Sequence, residues 1–132
     1  MTDFLEKYRN VRDEKNSVLC IGLDPLPSEV NEEEILHYCL DLVENTSDYA
    51  AAFKPNSQFL LFNLRVRELR ELTREIRNHG CISILDHKLS DIGSSNDAAI
   101  QQISASGFDA FTASPYPGNI KETSDLAHRE KL

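Results

Sequence analysis

Positive charge is in short supply in this 132-residue chain: 14 lysines and arginines face 22 aspartates and glutamates, a formal charge of -8. Nucleic acids and anionic membranes reward clustered cations, and no basic stripe interrupts the acidic balance, so neither a nucleic-acid nor a membrane partner is expected. Long apolar runs are missing too. None approaches the roughly 20 residues of a membrane span, and the opening M-T-D-F-L-E-K-Y does not read as a signal peptide. Cysteine is scarce: Cys20, Cys39 and Cys81 are odd in number, far apart and set among apolar neighbours. That is the pattern of small core hydrophobes in a reducing, cytoplasmic setting rather than of a disulfide framework. His37, His79, His87 and His128 fall in no metal-ligand spacing, so no metal site is expected. Glycine amounts to five residues, and Gly22-Leu23-Asp24-Pro25-Leu26-Pro27, after the first apolar run, is neither a G-x-G-x-x-G fingerprint nor a P-loop.

What is present is an alternation of strand and helix patterns. Thr2 is placed to cap an amphipathic helix with Phe4, Leu5, Tyr8 and Val11 on one face, ending in the charged stretch from Arg12 to Asn16. Val18 to Leu23 is a short continuous apolar run before Asp24-Pro25, which predicts a buried parallel strand. Asn31 and Glu34 make a capping-box-like start to a helix with Ile35, Leu36, Cys39, Leu40 and Val43 on one face. Tyr49 to Phe53 reads as a second strand, ending in Lys54-Pro55-Asn56. Phe62, Val66, Leu69, Leu72 and Ile76 then follow at helical spacing up to a stop at His79-Gly80. A third strand, Cys81 to Leu85, leads through Gly93-Ser94-Ser95-Asn96 into a helix to about Ala105. Gly107 closes it, and Ala110 to Ala113 is a fourth strand before Ser114-Pro115-Tyr116-Pro117-Gly118.

Four β-then-α units in series predict an all-parallel α/β sheet, with polar residues gathered at the C-terminal ends of its strands. In a (β/α)8 TIM barrel such residues converge on one mouth, and Asp24, Lys54, Asp86 and Lys88 fit that distribution. A barrel of this kind takes about 250 residues. Residues 1–132 are therefore expected to supply the N-terminal half of a single barrel domain. That half comprises an N-terminal helix (1–16), roughly the first four β/α units (17–118) and the start of a next helix or a tail (119–132). Four units leave two strand edges open to promiscuous pairing, so the sequence is expected to belong to a longer polypeptide.

The stretch I-L-D-H-K-L-S-D-I-G-S-S-N, Ile84 to Asn96, carries the chemistry. Asp86, Lys88 and Asp91 follow an apolar strand, yet such residue types almost never go fully inside unless paired. Two-residue spacing puts Asp86 and Lys88 on one side of an extended chain, and the step to Asp91 lets its carboxylate turn back toward the ammonium. By itself this could be a strand-end ion pair worth about 0 to 1 kcal/mol. His87 points to the other face by the same alternation and reads as a packing or surface residue. The Phe62 to Ile76 stripe reads as core.

Four segments in order carry a more specific signal: Leu19-Cys20-Ile21-Gly22-Leu23-Asp24-Pro25, Phe53-Lys54-Pro55-Asn56, Asp86-His87-Lys88-Leu89-Ser90-Asp91-Ile92-Gly93, and Ser114-Pro115-Tyr116-Pro117-Gly118. Together they resemble the orotidine 5'-monophosphate decarboxylases, and most the branch with an N-P-Y-L-G-like stretch; Ser95 stands where a threonine is usual, Ser114 where asparagine is, and Leu89-Ser90 replaces an Arg-Gly pair common in that branch. The resemblance implies a (β/α)8 homodimer that converts the nucleotide orotidine monophosphate (OMP) to UMP and CO2 without metal or cofactor. It further implies that Asp24 binds the ribose, that Lys54 lies between ribose and the charge network, and that Asp86 sits beside the substrate carboxylate. Lys88 would donate the proton to C6, while Asp91, Ile92 and Ser95 would reach the neighbouring subunit's site. Two other readings remain: a sugar-phosphate decarboxylase of the same superfamily, against which Lys54 speaks, and a non-catalytic half-barrel.

Overall fold

A computed structural model describes residues 4–132, so the expected Thr2 cap lies outside the described residues. Four parallel strands lie side by side in sequence order: β1 (Cys20–Leu23), β2 (Ala52–Pro55), β3 (Ile82–Leu89) and β4 (Ala110–Ala113). The helices are α1 (Phe4–Lys15), α2 (Ile35–Thr46), α3 (Ser57–Leu60), α4 (Val66–Asn78), α5 (Gly93–Ala105) and α6 (Ile120–Arg129). The order β1-β2-β3-β4, each strand followed by a helix, is that of half of a TIM barrel.

Strand alternation sorts the sheet's two faces. Phe53 and Leu85 point to the helical layer. Phe53 joins Leu23, Cys39, Val43, Leu60, Leu69, Leu72 and Ile76 beneath α2 and α4, and Leu85 packs with Ile103 and Phe108 beside α5. Ala52, Ile82 and Ile84 point the other way, where Phe4, Tyr8 and Val11 of α1 cover them. The side chain of Lys7 on α1 is paired with Asp109, whose other carboxylate oxygen accepts hydrogen bonds from the Ser83 N–H and hydroxyl at 2.9 and 3.0 Å. Helix α1 thus closes the N-terminal end of the sheet and leaves the opposite end free.

Several expected elements are shifted, each for a physical reason. The buried strand expected from Val18 begins only at Cys20. Val18, Leu19 and Cys20 are exposed because β1 is the outer strand and only its β2 side is paired among the described residues. Cys20 is accordingly not the core residue expected, whereas Cys39 and Cys81 are buried, and burial pushes the Cys39 thiol up to about 12. Asn31 donates to the Glu34 carboxylate at 3.0 Å and heads a single 3-10 turn, Glu32–Glu34, instead of capping the helix backbone. Strand β2 starts at Ala52 and includes Lys54 and Pro55, leaving Tyr49 exposed.

The helical stripe starting at Phe62 is also broken. Asn56 caps α3, its side-chain oxygen accepting from the Gln58 N–H at 3.0 Å. The chain then turns before Arg65, whose N–H donates to Glu68 at the start of α4. Phe62 falls in that turn and is 89% exposed, and Val66 is exposed, while Leu69, Leu72 and Ile76 are buried as expected. In urea unfolding, Ile76→Ala is expected to cost about 2 to 5 kcal/mol, as for other buried isoleucines. Phe62→Ala should cost less than about 0.5 kcal/mol. Equal losses would contradict this division of the stripe.

Candidate active site

The open end of the sheet gathers the charged side chains. The face carrying Ala52, Ile82 and Ile84 also carries Lys54 and Asp86, two residues further along their strands. Lys54 Nζ donates to Asp86 Oδ2 at 2.5 Å and Lys88 Nζ donates to Asp86 Oδ1 at 2.7 Å. A third donor joins them: the Thr112 hydroxyl on β4 reaches Asp86 Oδ1 at 2.9 Å. The carboxylate is thus fully partnered where its side chain is only 9% exposed. The hydrogen bond from Lys54, then that from Lys88, hold the Asp86 carboxyl well below the usual carboxylate range against the opposing effect of burial. Reciprocally, the hydrogen bond to Asp86 raises the Lys54 ammonium above its ordinary value.

The two lysines differ in access: the Lys88 side chain is 67% exposed and that of Lys54 34%. Lys54 is built into the wall, while Lys88 presents its ammonium to the mouth. Asp24 is exposed at the end of β1, and its charge adds to the upward shift of Lys54. Its carboxylate lies back over Gly22, where an added Cβ would come within 2.9 Å of Oδ2, and Gly22 is the register partner of Lys54. A side chain at position 22 would therefore displace the Asp24 carboxylate, the end of a flexible, exposed side chain.

Asp91 does not turn back to Lys88 within the chain. Its Oδ1 accepts from the Ile92 N–H at 2.8 Å and its carbonyl from Asn119 at 2.9 Å, so the loop is tied to the start of α6 instead. Strand β3 continues to Leu89, and the Lys88 ammonium pairs with Asp86 instead of Asp91. Asp91, Ile92 and Ser95 are all exposed at the head of α5. His87 faces the other side, lining a groove with Leu69, Leu85 and Ile103, where burial lowers its pKa. Among the described residues, no three His, Cys, Asp or Glu side chains converge to hold a metal ion.

Sequence reasoning missed Thr112. The available signal was a hydroxyl in the middle of a strand of small and aromatic residues, Ala110-Phe111-Thr112-Ala113. Alternation from Phe111, which packs into the helical layer, turns it to the face that carries Asp86.

Residues 17–129 match the model of the "Orotidine 5'-phosphate decarboxylase / HUMPS family". The orotidine 5'-phosphate decarboxylase of Variovorax paradoxus (strain S110) is 31% identical over 137 residues, covering 97% of this chain and 50% of the relative. That of Herpetosiphon aurantiacus is 36% identical over 124 residues, covering 87% of this chain and 46% of the relative. A solved Streptomyces avermitilis structure, provisionally named as the same enzyme, superposes with a TM-score of 0.84 at 26% identity over all of this chain and 51% of its own. The Plasmodium berghei orotidine 5'-monophosphate decarboxylase, at 18% identity and a TM-score of 0.71 over 88% of this chain and 55% of its own, speaks to the fold alone. The chain spans about half the length of the curated relatives it matches.

The lowered Asp86 pKa has a stability consequence. A depressed folded-state carboxyl contributes stability that is complete above the unfolded value of about 3.9 and is lost as pH falls from there toward the folded value. Asp86→Asn is expected to cost about 1 to 3 kcal/mol at pH 7. The gap to wild type should hold down to about pH 5 and shrink below pH 4, as read by urea unfolding across pH. A gap that widens on acidification would contradict the pairing.

Proposed function

Because the chain belongs to the orotidine 5'-phosphate decarboxylase / HUMPS family, we propose that it serves the decarboxylation of orotidine 5'-monophosphate to UMP, the last step of de novo pyrimidine biosynthesis. The observation that carries this reading is the Lys54–Asp86–Lys88 cluster at the open end of the sheet, with the Lys88 ammonium exposed to the mouth.

The chemistry follows from charge. Breaking the bond between C6 and the carboxylate releases CO2 and leaves the electron pair on a ring carbon. An ammonium fixed at that carbon stabilises the charge as it develops and then transfers its proton to C6, leaving a lysine amine that water reprotonates. Lys88 takes this role. Asp86 anchors it, and its negative charge beside the substrate carboxylate disfavours the bound ground state. Two unit charges about 4 Å apart interact by about 4 kcal/mol at an effective dielectric near 20 but only about 1 in water, so the mechanism needs water excluded from around Lys88 when substrate is bound. Lys54 and Asp24 are assigned to the ribose, with Lys54 also ordering Asp86.

The phosphate grip of such barrels comes from loops after strands seven and eight, and remote phosphate binding can lower the chemical barrier as well as KM. Turnover is therefore assigned to these residues together with a second half-barrel, and the 132 residues alone are expected to be nearly inactive. Asp91, Ile92 and Ser95, exposed at the head of α5, are assigned to the partner's site in a homodimer. With this biosynthetic step the protein is assigned to the cytoplasm.

The HUMPS part of the family name keeps a sugar-phosphate lyase in view. Such an enzyme resembles a magnesium user with an acid near the end of the second strand. Here that position is Lys54, a cation hydrogen-bonded to Asp86, which favours the pyrimidine reading.

CO2 release from OMP tests the proposal. Lys88→Ala is expected to lower kcat by about 10,000-fold or more while part of the substrate affinity survives. Asp91→Ala should be similarly impaired, and an equal mixture of the two variants should recover about a quarter of wild-type turnover, because a mixed dimer restores one intact site. Unchanged turnover in Lys88→Ala would overturn its role, and a mixture no more active than its components would overturn the shared site.

A further inference from the structure

Strand β3 is not regular where it carries the site. Leu85 pairs with Phe111 and Leu89 with Ala113, so three residues of β3, Asp86, His87 and Lys88, face the single residue Thr112 on β4. Such a bulge leaves backbone groups without ladder partners and bends its strand. Lys88 within it takes φ +52°, in the left-handed region that a non-glycine residue seldom occupies and that persists only where surrounding contacts hold it.

The contacts that hold it run through one hydroxyl. Thr112 Oγ1 accepts the Lys88 N–H at 2.9 Å, supplying the partner that the bulge removes from the ladder. The same oxygen donates its proton to Asp86 Oδ1 at 2.9 Å, and that carboxylate oxygen also receives the Lys88 ammonium at 2.7 Å. Backbone and side chain of Lys88 are thereby tied to one point: the N–H to the hydroxyl, the ammonium to the oxygen that the hydroxyl binds. The β4 ladder resumes immediately, with the Ser114 N–H donating to the Leu89 carbonyl at 2.8 Å.

We propose that Thr112 is a positioning residue for the decarboxylation, clasping the β3 bulge so that the Lys88 backbone and the Asp86 carboxylate are aligned before substrate arrives. It acts through those two residues and has no contact with the reacting carbon. The requirement is a hydroxyl that accepts and donates at once; serine satisfies it and valine, equal in shape, does not. The geometry also gives a lysine whose side chain is 67% exposed a defined direction.

This assignment rests on the decarboxylase reading, and the test separates the two. Thr112→Val and Thr112→Ser are compared with wild type in the polypeptide that includes the second half-barrel. One readout is steady-state turnover of OMP; the other is the NMR titration of a 13C-labelled Asp86 carboxyl together with the Lys88 amide resonance. Thr112→Val is expected to lose about 10- to 100-fold in kcat, the scale of one hydrogen bond to a charged group, with KM within about twofold. Its Asp86 midpoint should move up and its Lys88 amide shift, while Thr112→Ser stays near wild type in every readout. Thr112→Ala, which places no methyl against Asp86, replaces Thr112→Val if the latter does not fold. Wild-type kcat and unmoved resonances in the hydroxyl-free variant would overturn the proposal, and so would a Thr112→Ser variant as impaired as Thr112→Val. If wild type itself releases no CO2 from OMP, the decarboxylase reading fails and the resonances alone decide whether the clasp exists.

Discussion

One carboxylate organises the functional end of this molecule. Asp86 lies nearly buried at the end of a strand, and an unpaired charge there would be costly. Its stability comes from three donors carried by three strand segments: Lys54 of β2, Lys88 of its own β3, and Thr112 of β4. Register between neighbouring strands therefore matters directly for the chemistry. A slip of one residue in any of them would turn its donor to the helical face, leaving the carboxylate short of a partner and Lys88 without direction. The N-terminal end of the sheet is secured separately, by α1 and the Asp109 contacts, so the site end can be devoted to charge.

How much of this was legible beforehand follows from which residues report locally. The helical and strand periods placed β4 and α5 almost residue for residue, because glycines such as Gly107, at φ +85°, mark the boundaries. Asp24, Lys54, Asp86 and Lys88 stand out as charges ending apolar runs, a conflict visible without any structure. Edge status is not visible in the same way. Val18 and Leu19 read as core because they are apolar, and only the strand order shows that nothing described covers them. Phe62 deceived for a similar reason: it fits the helical period of α4, but the Asn56 cap starts a separate short helix ahead of it.

The bulge is the most instructive omission. Counting by twos along β3 puts Asp86 and Lys88 on one face, and they are indeed together. The reason is not a flat strand, since Lys88 sits in left-handed backbone opposite a single residue of β4. Nor does the spacing from Lys88 to Asp91 close a triad within the chain, because the loop after Leu89 is held by Asn119 and the Asp91 carboxylate by its neighbour's N–H. Sequence spacing fixes which residues can meet; long-range hydrogen bonds decide which of them do.

In the proposed function Lys88, held by Asp86, meets negative charge at C6 of a pyrimidine nucleotide. The most direct measurement is the affinity of the polypeptide for a UMP analogue bearing a fixed negative charge at that position, relative to UMP, in wild type and in Lys88→Ala. If the site is built to meet that charge, the analogue binds wild type at least about 100-fold more tightly than UMP, and the advantage collapses when the ammonium is removed. An advantage of the same size in both proteins would contradict it.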